Sequence, residues 1–411
     1  MKRTGKVSVG CLRNLLLALL VGNLPNGAYT QPAGTRMPTS DTPLILDHSG
    51  GQLQVSLIAD GLAGPWDLAF VPGTGDILVT ESPGRLRLIR DGVLLDSVLW
   101  ESPSPDGNDV LHGLVLHPDF ESNRLVYASY TLAGDDGLTV AVARGVLREQ
   151  SLEDVEEIFV AEAWTSAQNA TAGRMIFGPD GSLYLTIGDR DNLCCGPVDD
   201  PSIRILSQYL GNHVGKTLRL TDDGGVPADN PFVGVPGALP EIFTYGNRNG
   251  YGLAFHPDTG ALWQVEIGPM GGDEINILVA GGNYGWPLVS TGRNYSGTPV
   301  SEQPWFRPGM INPRIFWVPQ ISPSGLMFYT GERFPEWQGD LFVGALSGQQ
   351  LQRISIGQAV QSEQRETLLA EMGIRFRDVE QSADGAIYVT TEVRYGSSTP
   401  DGAVLRIDPV P

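Results

Sequence analysis

Arg375 and Arg377 are separated by one residue in Arg375-Phe376-Arg377-Asp378-Val379. Side chains two apart on a strand share a side, so the pair can present two guanidinium forks to one anion, the geometry that suits a carboxylate. Paired with the chain's many acids, the same two residues would be structural. Five histidines, His48, His112, His117, His213 and His256, are the natural candidates for a general base. His117 and His256 sit in His-Pro-Asp turns and read as structural. Cys194 and Cys195 are adjacent; they form a vicinal disulfide in an oxidising compartment or remain plain thiols, and nothing nearby supplies metal-ligand spacing.

These residues lie in a chain that repeats itself. An apolar pair, a Pro/Gly/Asp turn and an alternating strand recur six times: Leu68 to Thr80, Leu116 to Tyr130, Ile176 to Thr186, Ala254 to Trp263, Leu326 to Val343 and Gln381 to Thr390. Each copy reads as an antiparallel hairpin reversed by turn residues. A spacing of about 45 to 80 residues suits a four-stranded blade plus loops. The expected fold is therefore all-β, a six-bladed propeller of four-stranded antiparallel blades; a sandwich would not repeat one hairpin six times. The longest segments between repeats, 190–250 and 270–325, are expected on one face, where binding sites gather.

Lys2, Arg3, Lys6 and Arg13 precede a short apolar run, Leu15 to Val21, and Asn26-Gly27-Ala28 resembles a cleavage site. Residues 1–28 are thus expected to be a signal peptide, 29–45 a flexible lead-in and 46–411 the propeller, in a periplasmic or secreted protein. The apolar run is too short to span a bilayer. The formal charge is −20, and loss of the four leader cations makes it −24. Such a surface argues against nucleic acid and anionic lipid as partners, and no membrane insertion is expected. Only Lys216 remains as a lysine beyond the leader.

Seven segments resemble the glucose/sorbosone dehydrogenase family, the PQQ-dependent soluble glucose and aldose sugar dehydrogenases. They are Gly64 to Phe70, Leu116 to Phe120, Gly173 to Gly181, Pro240 to Asn249, Gly268 to Asn276, Asn283 to Pro287 and Arg375 to Val379. They run in the family's order over nearly the whole chain beyond the leader. The resemblance implies a six-bladed propeller holding PQQ and Ca²⁺ on one face. It also implies a histidine base that takes the proton of a sugar hydroxyl while hydride passes to the quinone.

Carried over residue by residue, it implies that Gly268 and Pro269 hold the cofactor's calcium through backbone carbonyls. Arg248 and Asn249 would lie at the quinone, with Arg248 stabilising the developing oxyanion. Tyr295 would line the cofactor, Arg375 and Arg377 would clamp it, and Glu274 and Tyr284 would form a second calcium site. Asp189 matches the acid that orients the family's histidine.

Several positions depart from the pattern. Ala170 stands where the histidine belongs, and a one-residue slip gives Asn169, no better as a base. Asn108, Ser347 and Ile267 replace a glutamine, a lysine and a histidine or glutamine. Loss of the base alone costs about 10² to 10⁴ in rate. His112, four residues after Asn108, is the first candidate substitute, then His213, then Asp189 if burial raises its pKa. Two readings follow: a PQQ- and Ca²⁺-dependent sugar dehydrogenase, possibly impaired, acting on a small-molecule sugar; or a non-catalytic, calcium-stabilised propeller that binds a sugar or a protein. A propeller lactonase has the right architecture but no ligand set to name.

Overall fold

The computed structural model describes residues 35–104, 110–166, 171–191, 201–357, 362–393 and 400–410. Asn108, Asn169, Ala170, Cys194 and Cys195, and the expected signal peptide, lie outside them. Six antiparallel sheets form a ring, each four strands deep with small additions in two. The inner strands, one per blade, are Pro65–Phe70, Leu111–Leu116, Ala172–Phe177, Gly250–Phe255, Pro323–Phe328 and Arg375–Gln381. Each packs against the next, and the last returns to the first. This is a six-bladed propeller, and the six sequence repeats are the six hairpins that join each inner strand to its second strand.

The ring is closed by chain from both ends. Gly51–Leu62 pairs with Gly402–Pro409 in the sixth blade, and Leu44–His48 adds outside it. Part of the segment expected as a flexible lead-in is thus placed on the propeller, where the Arg36 N–H also donates to the Met372 carbonyl at 2.9 Å. Alternation along the strands sends apolar side chains between blades; Val79, Leu185, Val265, Val343 and Val389 are all buried on second strands. Among the described residues, no helix is long and apolar enough to cross a membrane.

All six inner strands break register with their second strand near the start, between Pro65 and Leu68, Leu111 and Leu114, Ala172 and Met175, Gly250 and Gly252, Pro323 and Leu326, and Phe376 and Asp378. An extra residue of this kind unpairs a backbone N–H and re-aims a side chain. Hydroxyls on the second strands catch the freed groups. Thr80 Oγ1 accepts from the Asp67 N–H, Ser129 Oγ from Gly113, Thr186 Oγ1 from Arg174 and Thr390 Oγ1 from Asp378, at 2.9–3.1 Å. Three of them also donate to the next blade: Thr80 to the His112 carbonyl at 2.7 Å, Ser129 to Gly173 at 2.5 Å and Thr186 to Gly250 at 2.7 Å.

Candidate active site

The N-terminal ends of the inner strands and the C-terminal ends of the second strands share one face, and most of the candidate residues gather there. Acids end three second strands. Glu81 accepts from the Ala63 N–H at 2.7 Å and from Arg85 and Arg87, Glu392 meets the arginine pair, and Glu266 organises the loop that carries Arg248.

Glu266 is buried and fully used. Its Oε1 accepts from Asn247 Nδ2 at 2.8 Å, Gln264 Nε2 at 3.0 Å and Asn276 Nδ2 at 2.9 Å, and its Oε2 accepts from the Arg248 N–H at 2.6 Å. The Arg248-Asn249 step is therefore fixed by a carboxylate from the neighbouring strand. The Arg248 side chain donates to the Ile267 carbonyl at 2.5 Å, lies over the Trp286 ring and brings Nε to 3.6 Å from Asp189 Oδ2. Burial opposes its charge, but Asp189 and Tyr295 outweigh that and hold its pKa above the ordinary value. The Asn249 carbonyl accepts from the Ile267 N–H at 3.0 Å, and its buried side-chain Oδ1 has no partner.

Asp189 is fully buried. Its N–H donates to the Arg248 carbonyl at 2.9 Å, its Oδ1 accepts from the Asp191 N–H at 3.2 Å, and its Oδ2 has no hydrogen bond. Burial raises its pKa against the pull of Arg248. Next to it, Arg190 is buried at φ 58°, a conformation costly for a side chain of that size, and its Nη2 donates to the Leu138 carbonyl at 3.2 Å.

His112 is fully buried, with Nε2 3.0 Å from Thr131 Oγ1 and its ring edge-on to Trp66. Burial, then the Arg190 and Arg377 guanidiniums, push its pKa down to about 3. It stays neutral, and it is a weak proton acceptor. His213 lies elsewhere, its Nδ1 accepting from the Glu162 N–H at 2.9 Å. Arg375 and Arg377 do meet, but on a protein carboxylate: Glu392 Oε1 is 2.6 Å from Arg375 Nε and 3.0 Å from Arg377 Nη2.

The Gly268-Pro269 loop is held by Asp273, whose Oδ1 accepts from the Gly268 N–H at 2.8 Å while Oδ2 accepts from Ile321 and Ser322 at 2.7 and 2.9 Å. A Cβ on Gly268 would come within 2.3 Å of the Gly271 carbonyl, so no larger residue fits. Ser347 reaches the same corner, its hydroxyl 2.8 Å from that of Ser322. Tyr295 is 42% exposed. Glu274 stands opposite Glu266 in register, and both line a small cavity of about 10 Å³ with Tyr284, Trp286 and Arg248. Burial and then Glu266 push Glu274 up to about 8. Tyr284 itself is tied down, its hydroxyl donating to the Ile277 carbonyl at 2.7 Å and accepting from Val279.

Sequence reasoning missed the counter-charges Glu266 and Glu392, and it missed Arg190. The signal available was the acid that closes these two second strands, in Val265-Glu266 and Thr391-Glu392. Lys216 does not replace the lysine absent at Ser347. Its buried Nζ donates to the carbonyls of Leu206, Ser207 and Val214, at 3.2, 3.0 and 2.6 Å, and burial lowers its pKa to about 7.

A six-bladed propeller with buried arginines, a buried aspartate and a tightly packed glycine-proline loop on one face is the scaffold that any relative must match. Residues 62–405 match the family model "Glucose / Sorbosone dehydrogenase", and the chain belongs to that family. It is 37% identical to the aldose sugar dehydrogenase YliI of Escherichia coli over 364 residues, covering 87% of this chain and 93% of the relative. It is 29% identical to quinoprotein glucose dehydrogenase B of Acinetobacter calcoaceticus, covering 85% and 87%. The PQQ-bound aldose sugar dehydrogenase of Streptomyces coelicolor superposes with a TM-score of 0.68 at 27% identity, covering 87% of this chain and 98% of that one.

Proposed function

We propose that the chain is a PQQ- and Ca²⁺-dependent sugar (aldose) dehydrogenase whose proton acceptor is Asp189. The observation that carries the reading is the juxtaposition of Asp189 Oδ2, buried and without a hydrogen bond, with the Arg248 side chain 3.6 Å away. A carboxylate kept above its ordinary pKa is a better acceptor than one fully ion-paired, and better here than His112, whose charged form is disfavoured.

The residues present fit an anionic cofactor. Arg248, Arg375 and Arg377 bring three guanidiniums to this face beside Asp189 and Glu392, and Asn249 Oδ1 is an unpartnered acceptor suited to a donor N–H or O–H of the ligand. Arg375 and Arg377 would hold cofactor carboxylates, Gly268 and Pro269 would offer carbonyl oxygens to a calcium ion, and Glu274 would take part in a second cation site. When bound, the quinone supplies the hydride acceptor. Arg248 stabilises the oxygen that becomes negative as the sugar hydroxyl loses its proton, and Asp189 receives that proton. Glu266 keeps the Arg248 backbone in place throughout.

One observation favours the second reading, a non-catalytic binding propeller: Glu392 already occupies both arginines of the clamp. Calorimetric titration of the purified protein with PQQ, with and without Ca²⁺, separates the two. Calcium-dependent binding followed by dye reduction with an aldose supports the dehydrogenase; absence of binding at high micromolar PQQ leaves the binding propeller. Export to the periplasm or medium belongs to the same proposal and is checked by fractionation.

A further inference from the structure

The central channel is closed part-way by one side chain. Arg174, on the inner strand of blade three, places Nη1 at 2.7 Å from Asp67 Oδ1 of blade one and 3.0 Å from Asp378 Oδ1 of blade six. Its Nε donates to the Tyr251 carbonyl of blade four at 2.8 Å, and its guanidinium covers the Trp66 ring. Below this closure, toward the C-terminal ends of the inner strands, two cavities of about 370 and 480 Å³ share Ile176, Leu253, Leu326 and Glu380. They form one funnel on the face opposite the redox site, and its walls are mainly apolar.

The polar lining of the funnel is Asp67, Arg174, His256, Thr330 and Glu380, and Arg174 and Glu380 are the two that bear on a ligand. Arg174 is only 5% exposed and lines the cavity, yet its buried Nη2 has no hydrogen-bond partner. An unpaired buried donor is costly, so a bound acceptor would satisfy it. Glu380 follows Asp378 by two residues on the same strand, hence lies on the same side, and it borders both cavities. Asp67 and Asp378 are engaged elsewhere, accepting also from the Leu114 and Leu68 N–H groups at 2.8 and 3.2 Å. The floor thus offers the Arg174 donor and the Glu380 carboxyl, which burial and then Asp378 and Asp67 hold well above the ordinary carboxylate range, beneath mainly apolar walls. Hydroxyls on neighbouring carbons supply an acceptor and a donor together, while the carbon-bound hydrogens of a ring pack on apolar surface.

We infer that this funnel is a second binding site, for a small neutral polyhydroxy ring compound, anchored by Arg174 Nη2 and Glu380. It is independent of the dehydrogenase reading, because it lies on the other face and involves no oxidation. The test is titration of the full chain with myo-inositol, which has no anomeric carbon, followed by ligand-observed NMR. Saturable binding at about millimolar concentration is expected. Glu380→Leu, and Thr330→Trp at the rim, should each weaken it about tenfold or more, while Asp189→Asn should not. If Glu380→Leu fails to fold, Thr330→Trp decides alone. Three results would overturn the assignment: no saturable binding, binding indifferent to Thr330→Trp, or binding lost in Asp189→Asn.

Discussion

Glu266 and Glu274 face each other in register on neighbouring strands, two carboxylates directed at one small cavity. Like charges so placed repel, and the protein relieves this by keeping a proton on Glu274, pushed up to about 8. The ordinary pKa of a glutamate is about 4.3. The folded state therefore holds a proton that the unfolded chain releases, and the stability of the metal-free protein should fall as pH rises from about 4.5 to 8. A divalent cation between the two acids reverses this. Added Ca²⁺ should raise Tm at pH 8 more than at pH 5, and Glu274→Gln should raise the metal-free Tm at pH 8 by about 2–4 °C while losing most of the calcium response. A Tm independent of both pH and calcium would count against a cation there.

Asp189 should set the acid limb of the activity profile. Its carboxyl is held above the ordinary carboxylate range by burial, so dye-linked aldose oxidation should rise with pH through that raised value. Asp189→Asn should lower kcat by about 10² to 10⁴ and remove the limb. His112→Gln should leave the limb in place. Retention of the limb in Asp189→Asn would assign the proton to another group.

Arg248→Lys keeps a positive charge but loses the planar fork. It should lower kcat by about 10² to 10³, with a smaller change in KM, as measured by steady-state kinetics with PQQ and Ca²⁺ supplied. Ala170→His should act in the opposite direction and raise kcat, if the remainder of the pocket serves the chemistry.

Glu392 competes with any anion for Arg375 and Arg377. Glu392→Gln removes the competing charge, so PQQ should bind more tightly even as the protein loses stability, because the buried Arg377 and the half-buried Arg375 lose a shared carboxylate. Calorimetry and thermal melts on the same preparation read both effects. Weaker PQQ binding in this variant would mean that Glu392 orients the arginines and does not oppose the ligand.

Thr186 joins two blades through one hydroxyl, accepting from the Arg174 N–H and donating to the Gly250 carbonyl. Thr186→Val keeps the shape and removes both bonds. Leaving two buried backbone groups unsatisfied should cost about 2–4 kcal/mol in denaturant unfolding, with the midpoint shifting and the m-value unchanged.

The blades were legible because their signals are local. A turn rich in Pro, Asp and Gly between alternating apolar residues signals a hairpin, as in Gly178-Pro179-Asp180-Gly181 and Ser382-Ala383-Asp384-Gly385. The partners of the candidate residues were not legible. Alternation placed Arg375 and Arg377 on one side, but that Glu392 sits between them depends on register across a hairpin with an extra residue in it. Nor does the sequence around His112 disclose that burial, helped by Arg190 of the next blade and Arg377 of the sixth, keeps it neutral. Lys216 is a further case: the sequence marks it as the one lysine beyond the leader, but not that the Leu206, Ser207 and Val214 carbonyls capture it.

The strand that seals the ring has a consequence in time. Gly51–Leu62 is synthesised long before its partner Gly402–Pro409. Until that partner emerges, the early strand has an open edge, and the sixth blade cannot form. The order of manufacture therefore leaves that edge exposed to mispairing while five blades are being made, and loss of the Gly402–Pro409 strand should undo the beginning.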